Sequence, residues 1–185
     1  TNNSNLFKVI KQLRSHGITK NKEEFELPSP GEWAYEQQYL GFNYRMTDIQ
    51  AALGISQLSR LDHIINERNK MLFFYKEILN ELPLKLLETP NEVYSSVHLA
   101  IIRLNNQDPD FHSYIFHQLR KSGIGVQIHY TPIHLQPYYR RMGFSDGDFP
   151  ESELYSKNAL SIPLYIGLSE KDQTRVGATL KKLLV

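Results

Sequence analysis

A long helical pattern over residues 47–83 constrains this chain more than any other feature of its sequence. Thr47 and Gln50 form a capping-box pair at its start, and apolar residues then recur at helical spacing. The pattern predicts a helix of up to about thirty-five residues, bent near Ser59, whereas ordinary globular helices have roughly 8–20 residues. We therefore expect this helix to bridge two parts of a larger body.

The residues that follow alternate between strand and helix patterns. The predicted elements are strands over residues 97–104 and 126–130, helices over residues 111–122 and 151–160, and a final helix that starts at Ser169. Such alternation predicts a small α/β domain with helices on one face of a short sheet. Before the long helix, we expect a helix over residues 4–15 and an irregular loop over residues 19–39.

The composition excludes several classes of protein. The chain has 185 residues and a formal net charge of +1, which gives no general reason to bind nucleic acid or an anionic membrane. No apolar run approaches the roughly 18 residues needed to span a bilayer, and the first residues lack the apolar core of a signal peptide. The absence of cysteine excludes disulfide frameworks and cysteine nucleophiles. We therefore expect a cytoplasmic protein with no nucleic acid and no membrane among its partners.

Motifs of several common active sites are absent. The sequence contains no G-x-S-x-G, G-x-G-x-x-G or G-x-x-x-x-G-K-[ST] pattern. The seven histidines are scattered without metal-ligand spacing, so we interpret them as surface and loop residues and expect no metal. None of the twelve lysines lies in an apolar setting beside a phosphate cradle, so we interpret the lysines as solvated.

The first candidate binding segment is residues 40–46, just before the long helix. Gly41 permits a tight turn, while Asn43 and Arg45 offer an amide and a guanidinium group. Groups at the N-terminus of a helix are suited to holding a phosphate or carboxylate. Alternatively, Asn43 caps a turn and Arg45 pairs with a surface acid.

The second candidate is residues 125–139, a predicted strand that runs into a loop rich in tyrosine. Open α/β sheets bind ligands at the carboxyl ends of their strands. His129 can donate to a phosphate or carboxylate, and the tyrosines can stack on a base or line a sugar site. Alternatively, backbone groups satisfy His129 and the tyrosines fill a minor core.

Several segments resemble one enzyme family. The run LGFNYRMTDIQAALGISQLSRLD at residues 40–62 resembles the G-x-N-x-R-x-x-D-x-x-A-A-x-G-x-x-Q-L signature of the DegT/StrS-type nucleotide-sugar aminotransferases. The segments LRSHGI, IHYTPIHLQPYY and FPESELYSKNALSIPLYIGLSEKD are similar to further parts of this family, so the likeness covers essentially the whole chain. Within the family, WAYEQQYLGFNYRMTD is most similar to the aminotransferases of pseudaminic acid biosynthesis.

This resemblance implies a fold, a cofactor and a reaction. The fold is α/β, the C-terminal half of a fold type I, aspartate aminotransferase-like enzyme: the end of the large domain at residues 1–46, a bridging helix at 47–83 and a small α/β domain at 84–185. The cofactor is pyridoxal 5'-phosphate (PLP), which alternates with pyridoxamine phosphate (PMP). The reaction moves an amino group from glutamate to C4 of a UDP-linked 4-keto-6-deoxy-N-acetylamino sugar, and the product leads to an acid sugar that decorates flagellin.

The resemblance also implies roles for individual residues. Asn43 contacts the cofactor phosphate, or the substrate, in the neighbouring site of a homodimer with shared active sites. The nucleotide sugar is contacted by Ile128, His129, Tyr130 and Thr131. Among these, His129 and Tyr130 are expected to form hydrogen bonds through their side chains, and the other two to contribute mainly backbone.

One departure from the family pattern matters more than any match. In the family, the Schiff-base lysine, the acid at the pyridine nitrogen and most phosphate ligands lie upstream of the residue that corresponds to Thr1. We therefore expect that this chain is one half of the enzyme, that it contains no catalytic residue and that it is inactive alone. Two alternatives remain: a PLP-dependent sugar dehydratase on the same scaffold, with histidine in place of the lysine, and a non-catalytic dimerisation or regulatory domain.

Overall fold

A computed structural model describes residues 1–90 and 92–185, which form two units, residues 1–59 and residues 60–185. The first unit begins with helix α1, Ser4–Leu13. The Asn3 side chain accepts a hydrogen bond from the N–H of Leu6 at 3.0 Å, and the chain turns away at Gly17, whose φ is +70°. The predicted first helix is therefore confirmed, and it ends at Leu13.

The predicted irregular loop follows α1 and contains little regular structure. Strand β1, Ile18–Thr19, pairs antiparallel with β2, Glu36–Gln37. A 3-10 turn, Lys22–Glu24, lies between the two strands along the chain. The loop is thus closed at its base by a two-residue ladder that the sequence pattern did not indicate.

The long helix predicted over residues 47–83 is two helices, α2, Asp48–Leu58, and α3, Leu61–Leu79. The capping box at the start of α2 is confirmed, because the N–H of Thr47 donates to Gln50 Oε1 at 2.9 Å and the N–H of Gln50 donates back to Thr47 Oγ1 at 3.3 Å. Where a bend was expected, the helix is interrupted.

The break between α2 and α3 coincides with the boundary between the two units. Arg60 has φ −109° and ψ 3°, outside the helical region. The Ser59 hydroxyl donates to the carbonyl of Ser56 at 2.9 Å, a local bond of the kind that competes with helical continuation. In the described residues, no helix is long and apolar enough to cross a membrane.

The second unit is built on an antiparallel sheet of three strands. These are β3, Leu84–Leu86, β4, Ala100–Leu104, and β5, Ala159–Ile162, in the order β3-β4-β5. The other helices of this unit are α4, Pro109–Lys121, α5, Pro137–Arg140, α6, Pro150–Asn158, and α7, Glu170–Leu184. Asp108 caps α4 and Ser169 caps α7 through their side chains, and the cap of α7 lies where the sequence predicts the helix to start.

One face of the sheet carries the apolar core of this unit. Ile102 of β4 pairs with Leu160 of β5, and both are almost fully buried. Ile115 of α4 and Leu180 of α7 have no exposed surface and belong to the same cluster. Because side chains alternate between the two faces of a strand, the residues between these apolar positions lie on the opposite face.

Two buried hydrogen bonds fix α3 within this core. Tyr75 of α3 is fully buried, and its hydroxyl donates to the carbonyl of Pro163 at 2.9 Å. Gln173 of α7 is 1% exposed, and its amide donates to the carbonyl of Met71 at 2.8 Å. Each bond satisfies a polar group that would otherwise be costly to bury, so the pair specifies how α3 packs.

Two strand predictions need correction. The strand predicted over residues 97–104 begins only at Ala100, because Val97 has a positive φ of 39° and lies outside the ladder. The strand predicted over residues 126–130 is wrong, since only Gln127 pairs there, in an isolated bridge.

The third strand of the sheet is β5, where the sequence predicts the end of a helix over residues 151–160. Ala159 and Leu160 are good helix formers, but their pairing with β4 outweighs this local preference. Helix α6 consequently ends at Asn158.

Candidate functional site

The first candidate segment lies against the end of α1. Three backbone hydrogen bonds hold it there: Phe42 N–H to Leu13 O at 2.7 Å, His16 N–H to Phe42 O at 2.7 Å, and Tyr44 N–H to Arg14 O at 2.9 Å. The backbone is thus fixed on both sides of Asn43, which itself forms an antiparallel bridge with Ser15.

Gly41 permits this close approach of two backbone segments. A Cβ atom at Gly41 would lie 2.2 Å from the nitrogen of Gly17 and 2.6 Å from the carbonyl carbon of His16. Real Cβ atoms do not approach other atoms so closely, so a side chain here would force the two segments apart. The packing therefore requires glycine at position 41, through the close approach of two backbone segments.

The Asn43 side chain is exposed and forms no hydrogen bond with any described residue. Arg45 is also exposed, and no described acid pairs with it. Among the described residues, Asn43 therefore does not cap a turn through its side chain, and Arg45 forms no surface ion pair. The capping box already satisfies two donors of α2, and Asp48 adds negative charge there. The Asn43 amide is thus a better candidate for holding an anion than the helix terminus itself.

The second candidate segment, residues 128–131, leaves the sheet at a fixed point. Gln127 and Ser161 exchange two backbone hydrogen bonds, at 3.2 and 2.8 Å. The next residues turn outward: Ile128 is 36% exposed, Tyr130 is 72% exposed, and Thr131 is exposed. The segment is therefore anchored at its start and presents its later side chains to solvent.

His129 differs from its neighbours because it is half-buried. Its ring lies edge-on to that of Tyr130, with centroids 4.7 Å apart. Its Nδ1 atom is buried and has no hydrogen-bond partner among the described residues. One interpretation of the sequence is that backbone groups form hydrogen bonds with His129, but none of the described ones does so at this nitrogen. A ligand could therefore form a hydrogen bond with it.

The interpretation of all histidines as surface and loop residues is wrong for His112, which is 5% exposed on α4, and for His134. Its Nε2 atom lies 2.9 Å from Glu153 Oε1, and the two side chains are only 7% and 11% exposed. The N–H of Gly147 donates to the same oxygen at 2.8 Å. The hydrogen bond from His134, with that from Gly147, holds the pKa of the Glu153 carboxyl below its ordinary value. Because the partners are nineteen residues apart, no local pattern in the sequence identifies this pair.

An aromatic cavity lies next to the hydrogen-bonded pair of His134 and Glu153, with a volume of about 350 Å³. It is lined by Ile133, His134, Tyr139, Phe144, Phe149 and Ser152. The Phe149 ring packs against the ring of His134, with centroids 4.8 Å apart. The aromatic loop predicted after the strand is therefore partly a packed cluster and partly an open surface.

Neither a cofactor lysine nor a metal cluster is found in the described residues. All twelve lysines are exposed, so none has the desolvated setting that a covalent bond to a carbonyl cofactor requires. No three metal-ligating side chains lie together within residues 1–90 and 92–185. Of the two candidate segments, the groups that fit a cofactor or substrate are the amide of Asn43, in the first unit, and residues 128–131, in the second.

Comparison with known proteins supports the family expectation. Residues 1–181 match the DegT/DnrJ/EryC1/StrS aminotransferase family. The chain is 34% identical over 188 residues to the UDP-4-amino-4,6-dideoxy-N-acetyl-beta-L-altrosamine transaminase of Campylobacter jejuni, and covers 46% of that protein. The match includes 100% of the present chain.

Solved structures show the same relation. The structure matches that of PseC from Helicobacter pylori, an aminotransferase of pseudoaminic acid biosynthesis, with a TM-score of 0.87 and 26% identity over 100% of this chain and 47% of that one. It also matches the PMP form of Streptococcus pneumoniae Spr1654, with a TM-score of 0.89 and 27% identity over 99% of this chain and 46% of that one.

The present chain thus spans about half the length of the relatives it matches. The relatives include structures in PLP and PMP forms, and the expected α/β fold, the C-terminal half of a fold type I sugar aminotransferase, is confirmed. The chain belongs to the DegT/DnrJ/EryC1/StrS aminotransferase family.

Proposed function

We propose that this chain supplies part of the active site of a PLP-dependent aminotransferase that acts on a UDP-linked 4-keto-6-deoxy-N-acetylamino sugar, with glutamate as the amino donor. The observation that carries the proposal is the match of the whole chain, at 34% identity, to a transaminase of a UDP-linked amino sugar. The product would enter pseudaminic acid biosynthesis and flagellin glycosylation in the cytoplasm.

Asn43 is proposed to hold an anionic or hydroxyl group of the cofactor or the substrate. Its amide can donate and accept, and it has no partner among the described residues. The three hydrogen bonds to the end of α1 fix the backbone that carries it, so little further ordering is needed when a ligand binds. In a homodimer with shared active sites, this amide would serve the site of the partner.

Residues 128–131 are proposed to bind the nucleotide sugar. The buried Nδ1 of His129 can form a directed hydrogen bond with a sugar hydroxyl or a phosphate oxygen. The exposed hydroxyl of Tyr130 can form a second one, while Ile128 and Thr131 contribute mainly backbone groups. Two hydrogen bonds from adjacent residues would orient the sugar, which is the protein's main task in a reaction whose chemistry belongs to the cofactor.

The proposal places the covalent chemistry outside this chain. When bound, PLP supplies the electron sink for amino transfer, and its lysine would lie in residues upstream of Thr1. On this view residues 1–46 complete the large domain, residues 47–83 bridge it to the small domain, and residues 84–185 form the small domain. The chain alone is then expected to be inactive.

The proposal is tested by transfer of ¹⁵N from labelled glutamate to the UDP-4-keto sugar, measured by mass spectrometry on the full-length protein. Asn43→Ala and His129→Ala should each lower kcat/KM by about tenfold or more, the effect of losing one hydrogen bond to a charged group. Asn80→Ala and His117→Ala remove exposed side chains of the same types and serve as controls.

Two outcomes would contradict the proposal. Loss of water from the sugar without uptake of ¹⁵N would instead identify a dehydratase. Unchanged amination in both the Asn43 and the His129 variants would mean that these residues are not part of the site.

A further inference from the structure

Two cations lie directly opposite each other on the second face of the sheet. Lys85 of β3 pairs in register with Arg103 of β4, and the neighbours of both residues along their strands are leucines or, at position 102, isoleucine. Lys85 is exposed and Arg103 is half-buried. Like charges at directly opposed positions of an antiparallel pair destabilise the sheet, and an anion bound by both would relieve this repulsion.

No such anion is supplied by the described residues. No described carboxylate forms an ion pair with Lys85 or with Arg103. An open cavity of about 340 Å³ lies at this position, and its lining contains two cations and three amides but no acid. The lining residues are Lys85, Arg103, Leu104, Asn105, Gln107 and Asn158.

Asn158 and Tyr155 hold the guanidinium group of Arg103 in place. Its Nε atom donates to Asn158 Oδ1 at 3.3 Å, and Asn158 is only 2% exposed. Its central carbon lies 6.0 Å from the centre of the Tyr155 ring. These contacts use Nε and leave the two terminal nitrogens without a partner among the described residues. A fixed guanidinium with two free donors matches the oxygens of a phosphate.

We propose that this cavity binds the phosphoryl group of a small ligand. Arg103 would bind two phosphate oxygens through its terminal nitrogens, and Lys85 would neutralise the remaining charge. The amides of Asn105 and Gln107 line the same cavity and can accept or donate to the rest of the ligand. None of the lining residues is assigned to the aminotransferase site proposed above, so this is a separate site.

The test uses the full-length protein loaded with PLP, so that the cofactor already occupies its own phosphate cradle. Inorganic phosphate is titrated by calorimetry at low ionic strength, and UDP and uridine are titrated in parallel. Lys85→Gln and Arg103→Gln should each weaken phosphate binding by about tenfold, whereas Lys121→Gln, on an exposed part of α4, should leave the affinity unchanged.

The parallel titrations of phosphate, UDP and uridine distinguish the source of the phosphoryl group. UDP binding that both variants weaken, with phosphate bound poorly, supports the site and identifies a nucleotide as the ligand. Because residues 128–131 are proposed to bind a nucleotide sugar, only binding that the variants weaken is assigned to this cavity. Equal affinities of phosphate and of UDP in the wild type and both variants, or no binding of any probe, would overturn the proposal. Lys85 is exposed, so its variant tests the site even if the Arg103 variant unfolds. Sugar amination should be unchanged in both variants, which separates this proposal from the proposed function.

Discussion

Tyr75→Phe measures the contribution of one buried hydrogen bond in the second unit. The substitution keeps the ring in the core and removes only the hydroxyl, which donates to the carbonyl of Pro163 at 2.9 Å. Leaving a partly buried acceptor without its donor costs about 1–2 kcal/mol. For a protein of this size, that loss lowers Tm by about 3–6 °C and lowers the urea concentration at the unfolding midpoint by less than about 1 M.

Tyr94→Phe provides the matched control. The hydroxyl of Tyr94 also forms a hydrogen bond, to Asn66 Oδ1 at 2.6 Å, but its side chain is 70% exposed and water can replace the bond. We expect this variant to lose less than about 0.5 kcal/mol. Unfolding is followed by far-UV circular dichroism, because the single tryptophan, Trp33, lies in the first unit and does not report on Tyr75.

The effect of Tyr75→Phe on stability should also depend on pH. Burial raises the pKa of the Tyr75 hydroxyl above its ordinary value, so the folded protein keeps the proton where the unfolded chain loses it. The contribution of this bond is therefore complete below about pH 10 and is lost as the pH rises further. A difference in stability between wild type and Tyr75→Phe that matches the Tyr94 control, or that stays constant above about pH 10, would refute this reasoning.

Two further perturbations test the candidate site and its support. Gly41→Ala should lower both Tm and sugar amination, because its Cβ would lie 2.2 Å from the nitrogen of Gly17. In the control Gly54→Ala, the new Cβ has nothing within 4 Å, so this variant should instead stabilise α2 by up to about 1 kcal/mol. Equal behaviour of the two variants in thermal melts would contradict the packing argument. The low pKa of the Glu153 carboxyl means that its bond with His134 stabilises the fold above the ordinary carboxyl range and is lost as the pH falls through the lowered pKa. In Glu153→Gln, the free energy of unfolding should therefore decrease less steeply as the pH falls into the acidic range. The measurement is urea unfolding at several acidic pH values, and the same pH dependence in the variant and the wild type would show that the pair contributes nothing.

Local signals in the sequence identify the elements that depend on local chemistry. The caps at Thr47 and Ser169 occur where predicted, because each depends on residues within a few positions of one another. The signature at residues 40–62 carried the family assignment for a similar reason, since it is a contiguous run.

Features that depend on distant residues were not predictable in this way. The run from Val126 has the composition of a strand, but only Gln127 pairs there, with Ser161. Ala159 and Leu160 have the composition of a helix, but they pair with β4. The partner of His134 lies nineteen residues away, and the face that brings Lys85 opposite Arg103 exists only once the register of β3 and β4 is known. The free state of Nδ1 in His129 likewise depends on which groups surround it in three dimensions.

The His134–Glu153 pair acts as a non-covalent cross-link that closes the chain between the segment at 128–131 and the start of α6. Within such a closed loop, lengthening is inexpensive, because doubling the number of residues costs only about 0.6 kcal/mol of closure entropy. The aromatic stretch at residues 138–146 can therefore change in length and composition while both ends of the loop stay in place. The cavity that this stretch lines can then diversify independently of the sheet, so the shape of the aromatic surface and the stability of the unit are separable properties.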